Sequence, residues 1–138
     1  MNSSPGTDLR KAIQAESPLQ LVGVTNPYHG VMAKSAGFIA LYLSGSGVAT
    51  ASYGLPDLGM TTLDNVLEDV RRVVTAVDLP LLVDVDTGWG GAFMIARTMK
   101  EMARAGAAGV HIEDQVQDKR CGHRPGKQIV STVEMQDR

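Results

Sequence analysis

Four short apolar runs punctuate the chain, at residues 21–25, 38–43, 81–86 and 108–114. Each is nearly continuous rather than alternating, which predicts parallel strands buried on both faces. Between them the period changes to helical spacing. Leu63, Val66, Leu67, Val70, Val74 and Val77 fall on one stripe, with Asp64, Asn65, Glu68, Asp69, Arg71 and Arg72 opposite as a solvated face. Thr61, with Asp64 three residues on, reads as the capping box of that helix. A second amphipathic helix is predicted over 92–105, turning Phe93, Ala96, Met99, Met102 and Ala103 inward and ending at Gly106. Shorter helices are predicted over 9–15 and 28–35. Another starts at Ser131, where Glu134 completes a second capping box. Strand and helix alternate throughout, the pattern of a parallel α/β sheet.

Composition narrows the class without naming a function. The 138 residues, 43% of them hydrophobic, suit a single domain over 1–138 with a real core. A net charge of −2 gives no electrostatic case for nucleic acid or an anionic membrane as partner. One cysteine excludes an internal disulfide and suits a reducing, cytoplasmic compartment. The first ten residues lack the apolar core of a secretion signal. No run approaches the roughly 18 apolar residues of a membrane span. The first strand is not followed by G-x-G-x-x-G, so a dinucleotide site gains no support.

The candidate chemistry gathers where the predicted strands end, the edge at which parallel α/β proteins bind ligands. Asp84 and Asp86 are two apart on a strand and so are expected on one face. Two carboxylates there call for a cation, and oxygen-only ligation suits Mg²⁺, with Asp57, Glu113 and Asp114 as outer-shell candidates. The competing reading has these acids capping helices or pairing with arginines. Ser44-Gly45-Ser46-Gly47 reads either as an anion cradle or as a tight turn. The stretch from Lys119 to Lys127 reads as a loop, with Cys121 among Lys119, Arg120, His123 and Arg124. Neighbouring positive charge favours a thiolate; the alternative is a solvated basic loop with an incidental cysteine. His111, inside the fourth run, is expected to be a hydrogen-bonded structural residue, and His29 structural or exposed.

Five segments in order, Ser44–Gly47, Gly54-Leu55-Pro56-Asp57, Leu82–Gly88, Gly109–Gln115 and Lys119–Pro125, resemble those of the isocitrate lyase/phosphoenolpyruvate mutase superfamily. The likeness runs from about Leu19 onward. The Lys-Arg-Cys-Gly-His loop resembles the carbon–carbon lyase branches, and Arg124-Pro125 after it resembles the methylisocitrate-cleaving branch. The resemblance implies a (β/α)₈ barrel that uses Mg²⁺ (or Mn²⁺) to cleave 2-methylisocitrate to pyruvate and succinate in propionate catabolism, through the methylcitrate cycle. It implies Asp84 and Asp86 as metal ligands, with Asp57 and Glu113 in or near the metal's water shell. Ser44, Gly45, Ser46 and Gly47 would hold a substrate carboxylate, although glycine is more usual where Ser46 stands. Cys121 is implied as the acid/base, with Gly122 and His123 beside the substrate and Lys119 setting the thiol's pKa. Tyr42 is the candidate for taking the substrate's hydroxyl proton.

A complete barrel takes roughly 250 residues. Four strands are therefore expected to be the first four β/α units of a longer protein, which the resemblance implies to be a homotetramer. Isocitrate, dimethylmalate and oxaloacetate are the alternative substrates. A non-catalytic α/β module with a basic surface loop is the alternative of a different kind.

Overall fold

A computed structural model describes residues 3–138. Its strands β1 (Val22–Val24), β2 (Leu41–Leu43), β3 (Leu81–Asp84) and β4 (Gly109–His111) form one parallel sheet in the order β1-β2-β3-β4. The helices are α1 (Pro5–Ala15), α2 (Pro27–Ser35), α3 (Gly45–Gly47), α4 (Leu63–Ala76), α5 (Ala92–Ala105) and α6 (Thr132–Asp137). The short α3 continues as a π-helical turn, Val48–Ser52. No helix among the described residues is long and apolar enough to cross a membrane.

The two faces of the sheet are unlike. Leu41, Leu43, Leu81 and Val83 point to one side and are fully buried with Leu63, Val66, Leu67, Val70 and Val73 of α4. Burying such side chains contributes roughly 1.5–3 kcal/mol each, so this face holds the sheet to its helices. The register sets Tyr42 beside Leu82 and Asp84 beside His111 on the other side. There Tyr42 and Leu82 are half-buried and His111 is exposed. The expectation of strands buried on both faces is therefore corrected. Only the helix-covered face is packed, and the other is the face that a closed barrel would enclose.

Local chemistry accounts for the helix boundaries. The capping box of α4 lies one residue later than expected: the Thr62 side chain accepts from the Asn65 N–H, and the Asn65 side chain accepts from the Thr62 N–H. Thr61 is instead buried, and its carbonyl accepts the Trp89 indole N–H at 2.9 Å. Ser4 caps α1 ahead of the predicted start, Ser131 caps α6, and Gly106 ends α5 with φ +94°. The inward face of α5 is also corrected. Phe93 is 96% exposed and Ala96 and Ala103 lie outside, while Ile95, Thr98, Met102 and Ala105 point in. A polar residue, Thr98, sits in that buried stripe because its hydroxyl donates to the Gly88 carbonyl at 3.2 Å. Asp69 is not on a solvated face. It is buried, accepting from Ser52 Oγ at 2.6 Å and Arg72 at 3.1 Å, which ties the π turn to α4.

After β4 the chain leaves the sheet and returns through a closed neck. Gln115 and Ile129 form an antiparallel bridge, flanked by Val116 N–H to Gln128 O and Val130 N–H to Asp114 O, both 2.9 Å. The cysteine loop is the excursion between them.

Candidate active site

Strands β2, β3 and β4 all end at one rim, and their following residues build a shared acidic hollow. Asp84 is the last residue of β3, while Asp86 lies beyond it with φ +49°. Strict strand alternation therefore does not carry Asp86 onto the face of Asp84; a left-handed residue does, at a cost of about 1–2 kcal/mol for a side chain without glycine's freedom. The two carboxylates converge all the same. Asp84 Oδ1 accepts the Asp86 N–H and Asp84 Oδ2 accepts the Gly45 N–H, both at 3.0 Å. The parallel ladder is prolonged by Val85 N–H to His111 O at 2.9 Å and Glu113 N–H to Asp86 O at 2.7 Å, which brings Glu113 to the same rim.

Glycine is required opposite these acids. A Cβ on Gly45 would lie 2.9 Å from Asp86 Oδ1 and 3.2 Å from Asp84 Oδ2. A Cβ on Gly47 would lie 2.9 Å from the Thr25 methyl. Ser44 begins the segment as an N-cap, its side chain accepting from Gly47 N–H at 3.3 Å, and the Ser46 carbonyl accepts from the Thr50 hydroxyl. The Ser44–Gly47 stretch is thus the first turn of a helix rather than a free-standing turn.

The cation in the hollow belongs to the protein. Lys119 is 3% exposed, and its Nζ lies 2.5 Å from Asp86 Oδ1, 2.9 Å from Asp57 Oδ1 and 3.6 Å from Glu113 Oε1. Asp86 Oδ1 is buried without a well-formed hydrogen bond, this ammonium being its close neighbour. Burial works against a charged lysine, but the hydrogen bonds to Asp86 and Asp57 and the charges of Asp86 and Glu113 outweigh it, raising the Lys119 pKa. Burial raises the pKa of Asp86, with Lys119 opposing and Asp84 and Asp57 adding to the rise. Glu113 is likewise raised by burial, against Lys119. The Lys119 charge is therefore spent on the acids.

The fit of a divalent cation follows from these donors. All are oxygens, and the backbone of Gly45 comes as close as no larger residue permits. Among the described residues, no three His, Cys, Asp or Glu side chains converge tightly enough to ligate one ion directly. The hollow thus suits an ion that takes one or two carboxylates and keeps several waters, as Mg²⁺ does.

The remaining candidates line the approach. Cys121 is half-buried with a free thiol, and its carbonyl accepts the Arg124 N–H at 2.9 Å. A Cβ on Gly122 would lie 4.0 Å from Glu113 Oε1, so the loop passes directly over the acids. Lys127 donates to the Gly122 and Arg124 carbonyls, while His123 is exposed. Tyr42 Oη and His111 Nδ1 are 3.2 Å apart on the open face. Burial, followed by the charges of Asp84 and Glu113, pushes the Tyr42 pKa up to about 12. His29 is exposed, its Nδ1 3.1 Å from the Thr25 hydroxyl.

Two participants are not among the site residues expected from the sequence. Thr61 Oγ1 stands 3.5 Å from Asp86 Oδ2. Gln115 donates to Glu113 Oε2 at 2.7 Å and joins it to the cysteine loop. A polar residue directly after Glu113-Asp114 is the one hint of the second; partners of this sort are set by tertiary contact.

Comparison with known proteins gives this rim a context. Residues 9–138 match the phosphoenolpyruvate phosphomutase family. A 2-methylisocitrate lyase from Vibrio cholerae is 64% identical over 138 residues, covering 100% of this chain and 45% of that protein. A crystal structure of 2,3-dimethylmalate lyase, a phosphoenolpyruvate mutase/isocitrate lyase superfamily member, superposes with a TM-score of 0.86 at 38% identity, over 99% of this chain and 46% of the other. A phosphonopyruvate hydrolase solved with oxalate and Mg²⁺ superposes with a TM-score of 0.77 at 27% identity, over 98% of this chain and 46% of that one. The chain thus spans about half the length of the relatives it matches, and its four strands are the first four β/α units of a barrel of that type.

Proposed function

The chain belongs to the phosphoenolpyruvate phosphomutase family, and on that premise we propose that it is the N-terminal half of a Mg²⁺-dependent carbon–carbon lyase that cleaves 2-methylisocitrate to pyruvate and succinate. The observation that carries the reading is the acidic rim with the cysteine loop folded over it, Gly122 above Glu113 and Lys119 among the acids. The 64% identity to a protein named for this reaction supports the substrate.

Asp84 and Asp86 would hold the metal, with Asp57 and Glu113 reaching it through water. Bound there, Mg²⁺ supplies Lewis acidity toward the substrate's hydroxyl and adjacent carboxylate. Ser44, Gly45, Ser46 and Gly47 receive the carboxylate on the pyruvate side. When the hydroxyl proton leaves, its oxygen becomes the ketone of pyruvate and the adjacent carbon–carbon bond breaks. The electron pair of that bond passes to the succinate fragment as an enediolate. Arg120 and Arg124 offset its charge from the loop. Cys121 delivers a proton to its carbon as general acid, beside Gly122 and His123. Tyr42 is the candidate for taking the substrate's hydroxyl proton, its Oη lying on the open face 3.2 Å from His111 Nδ1. Lys119 acts on the acids, its ammonium set among Asp57, Asp86 and Glu113. The reading carries with it a place in propionate breakdown and a cytoplasmic homotetramer.

The test is pyruvate release from 2-methylisocitrate, followed with the chain continued to the length of its relatives. Wild type should release pyruvate and Cys121→Ser should nearly abolish it, with Mg²⁺ binding intact in both. Unchanged turnover in Cys121→Ser removes the thiol from this role. A second reading, cleavage of 2,3-dimethylmalate, is favoured by the superposition on that lyase. Faster turnover of dimethylmalate than of 2-methylisocitrate would select it.

A further inference from the structure

The buried amide of Gln115 is used by no step above, and its environment is specific. Gln115 is 3% exposed and sits at the neck of the cysteine loop, paired with Ile129 across the bridge. Its side chain reaches up into the loop and takes both backbone groups of one residue: Nε2 donates to the Arg120 carbonyl at 2.8 Å, and Oε1 accepts the Arg120 N–H at 3.1 Å. That is the pairing a neighbouring strand would offer, made by a side chain. The second hydrogen of Nε2 goes to Glu113 Oε2 at 2.7 Å. The orientation of the amide is fixed by these three partners, since turning it over would set its oxygen against two acceptors. From below, Arg138 Nη1 donates to the Gln115 carbonyl at 2.9 Å.

We propose that Gln115 is a positioning residue for Cys121: its amide clamps the Arg120 backbone, one residue before the thiol, and locks it to Glu113 at the acidic rim. The inference rests on the acid role given to Cys121. Residues 116–128 make few other backbone bonds to the rest of the protein, so a loop of Gly, Pro and charged residues needs an internal anchor. Lys119 anchors the charge, and Gln115 anchors the peptide plane next to the thiol. A general acid must reach the reacting carbon at hydrogen-bond range, and a misplacement of about 1 Å costs on the order of 100-fold in rate. Supporting partners of this kind are worth about 10–100-fold in metal-site enzymes.

The experiment compares Gln115→Glu and Gln115→Leu with wild type and Cys121→Ser, all in the protein of the relatives' length. Glu is isosteric but turns both donations into repulsions; Leu keeps similar bulk and removes all three bonds. The clamp predicts kcat lower by about 10–100-fold in both variants, with KM within about twofold. In Gln115→Leu, amide hydrogen exchange at Arg120 should speed up at least about tenfold, which equals ~1.4 kcal/mol of lost protection, while exchange in β2 and β3 stays unchanged. If Gln115→Leu unfolds, Gln115→Glu decides alone, read by kcat and by the rate of Cys121 alkylation. Unchanged exchange at Arg120 in Gln115→Leu, or a fall in kcat matched by exchange throughout the sheet, overturns the clamp and leaves only a structural residue. Full turnover in Cys121→Ser overturns the acid role, and with it any catalytic purpose for Gln115. Loss of turnover in Cys121→Ser with normal kcat in both Gln115 variants overturns the clamp alone.

Discussion

The two sides of the sheet obey opposite rules. On the helix-covered side, Leu41, Leu43, Leu81 and Val83 join the apolar stripe of α4 in one hydrophobic core. At the carboxyl rim, less than one strand length away, Asp57, Asp84, Asp86 and Glu113 crowd around one buried ammonium. The first region is stabilised by removal of apolar surface from water, which is non-directional and tolerates exchange of one aliphatic residue for another. The second is stabilised by a charge balance that fails if a single partner is lost, because an uncompensated buried charge is costly. The helix-covered face therefore owes nothing to the site's charges, whereas the rim relies on one loop residue, Lys119, to offset its buried acids.

The largest effect that would sharpen this contrast is expected from Lys119→Met. Removing the ammonium leaves Asp57, Asp86 and Glu113 facing one another in a buried hollow, with an expected loss of about 3–5 kcal/mol in metal-free thermal or urea unfolding. Saturating Mg²⁺ should recover a large part of it, since a bound cation stabilises by mass action. A variant as stable as wild type without metal would show that the acids do not rely on the lysine. Next in size, Leu67→Ala removes a fully buried side chain of α4. It should cost about 2–5 kcal/mol, with Mg²⁺ affinity unchanged because the rim is untouched. An altered affinity would mean that core and rim are coupled. Thr62→Ala, which removes the cap of α4, should cost only about 1 kcal/mol; a loss several times larger in urea titrations would place more weight on that helix end than its hydrogen bonds justify.

A pH series addresses the rim alone. Asp86 and Glu113 hold their protons above the ordinary carboxylate range, burial being the main cause in both. Metal binding requires the ionised forms, so protons compete with Mg²⁺. Apparent Mg²⁺ affinity should fall as the pH drops toward the carboxylate range, starting at a higher pH than ordinary carboxylates of pKa about 4 would require. Flat affinity down to that ordinary range, measured by calorimetry, would contradict raised acids at the site.

The core was largely legible in the sequence, and the rim only in part. Runs of Leu and Val at strand length marked the four strands, and the stripe from Leu63 to Val77 gave α4, because both report burial by simple periodicity. The same reasoning mistook the phase of α5, where Phe93 faces outward and Thr98 inward. Periodicity cannot foresee a hydroxyl satisfied by the Gly88 carbonyl. At the rim, the acids and the cysteine loop stood out by residue type, whereas the way they meet did not. Asp86 reaches the hollow through a left-handed backbone, Lys119 folds back across more than 30 residues of sequence to Asp86, and Gln115 grips Arg120 through its side chain. These are long-range or conformationally exceptional contacts, with no period to announce them. Asp69 shows the same limit on a helix: a charged residue on a nominally solvated face is buried because Ser52 and Arg72 satisfy it.

The acidic rim is proposed as a magnesium site serving a carbon–carbon lyase. Its most direct test is a calorimetric Mg²⁺ titration of wild type and of Asp84→Asn, made on the chain continued to its relatives' length and paired with pyruvate release from 2-methylisocitrate before and after EDTA. The account predicts one Mg²⁺ site in wild type, weakened at least about tenfold in Asp84→Asn (~1.4 kcal/mol), and pyruvate release that stops with EDTA and returns with added Mg²⁺. Equal Mg²⁺ binding in both proteins, or pyruvate release indifferent to EDTA, would contradict it.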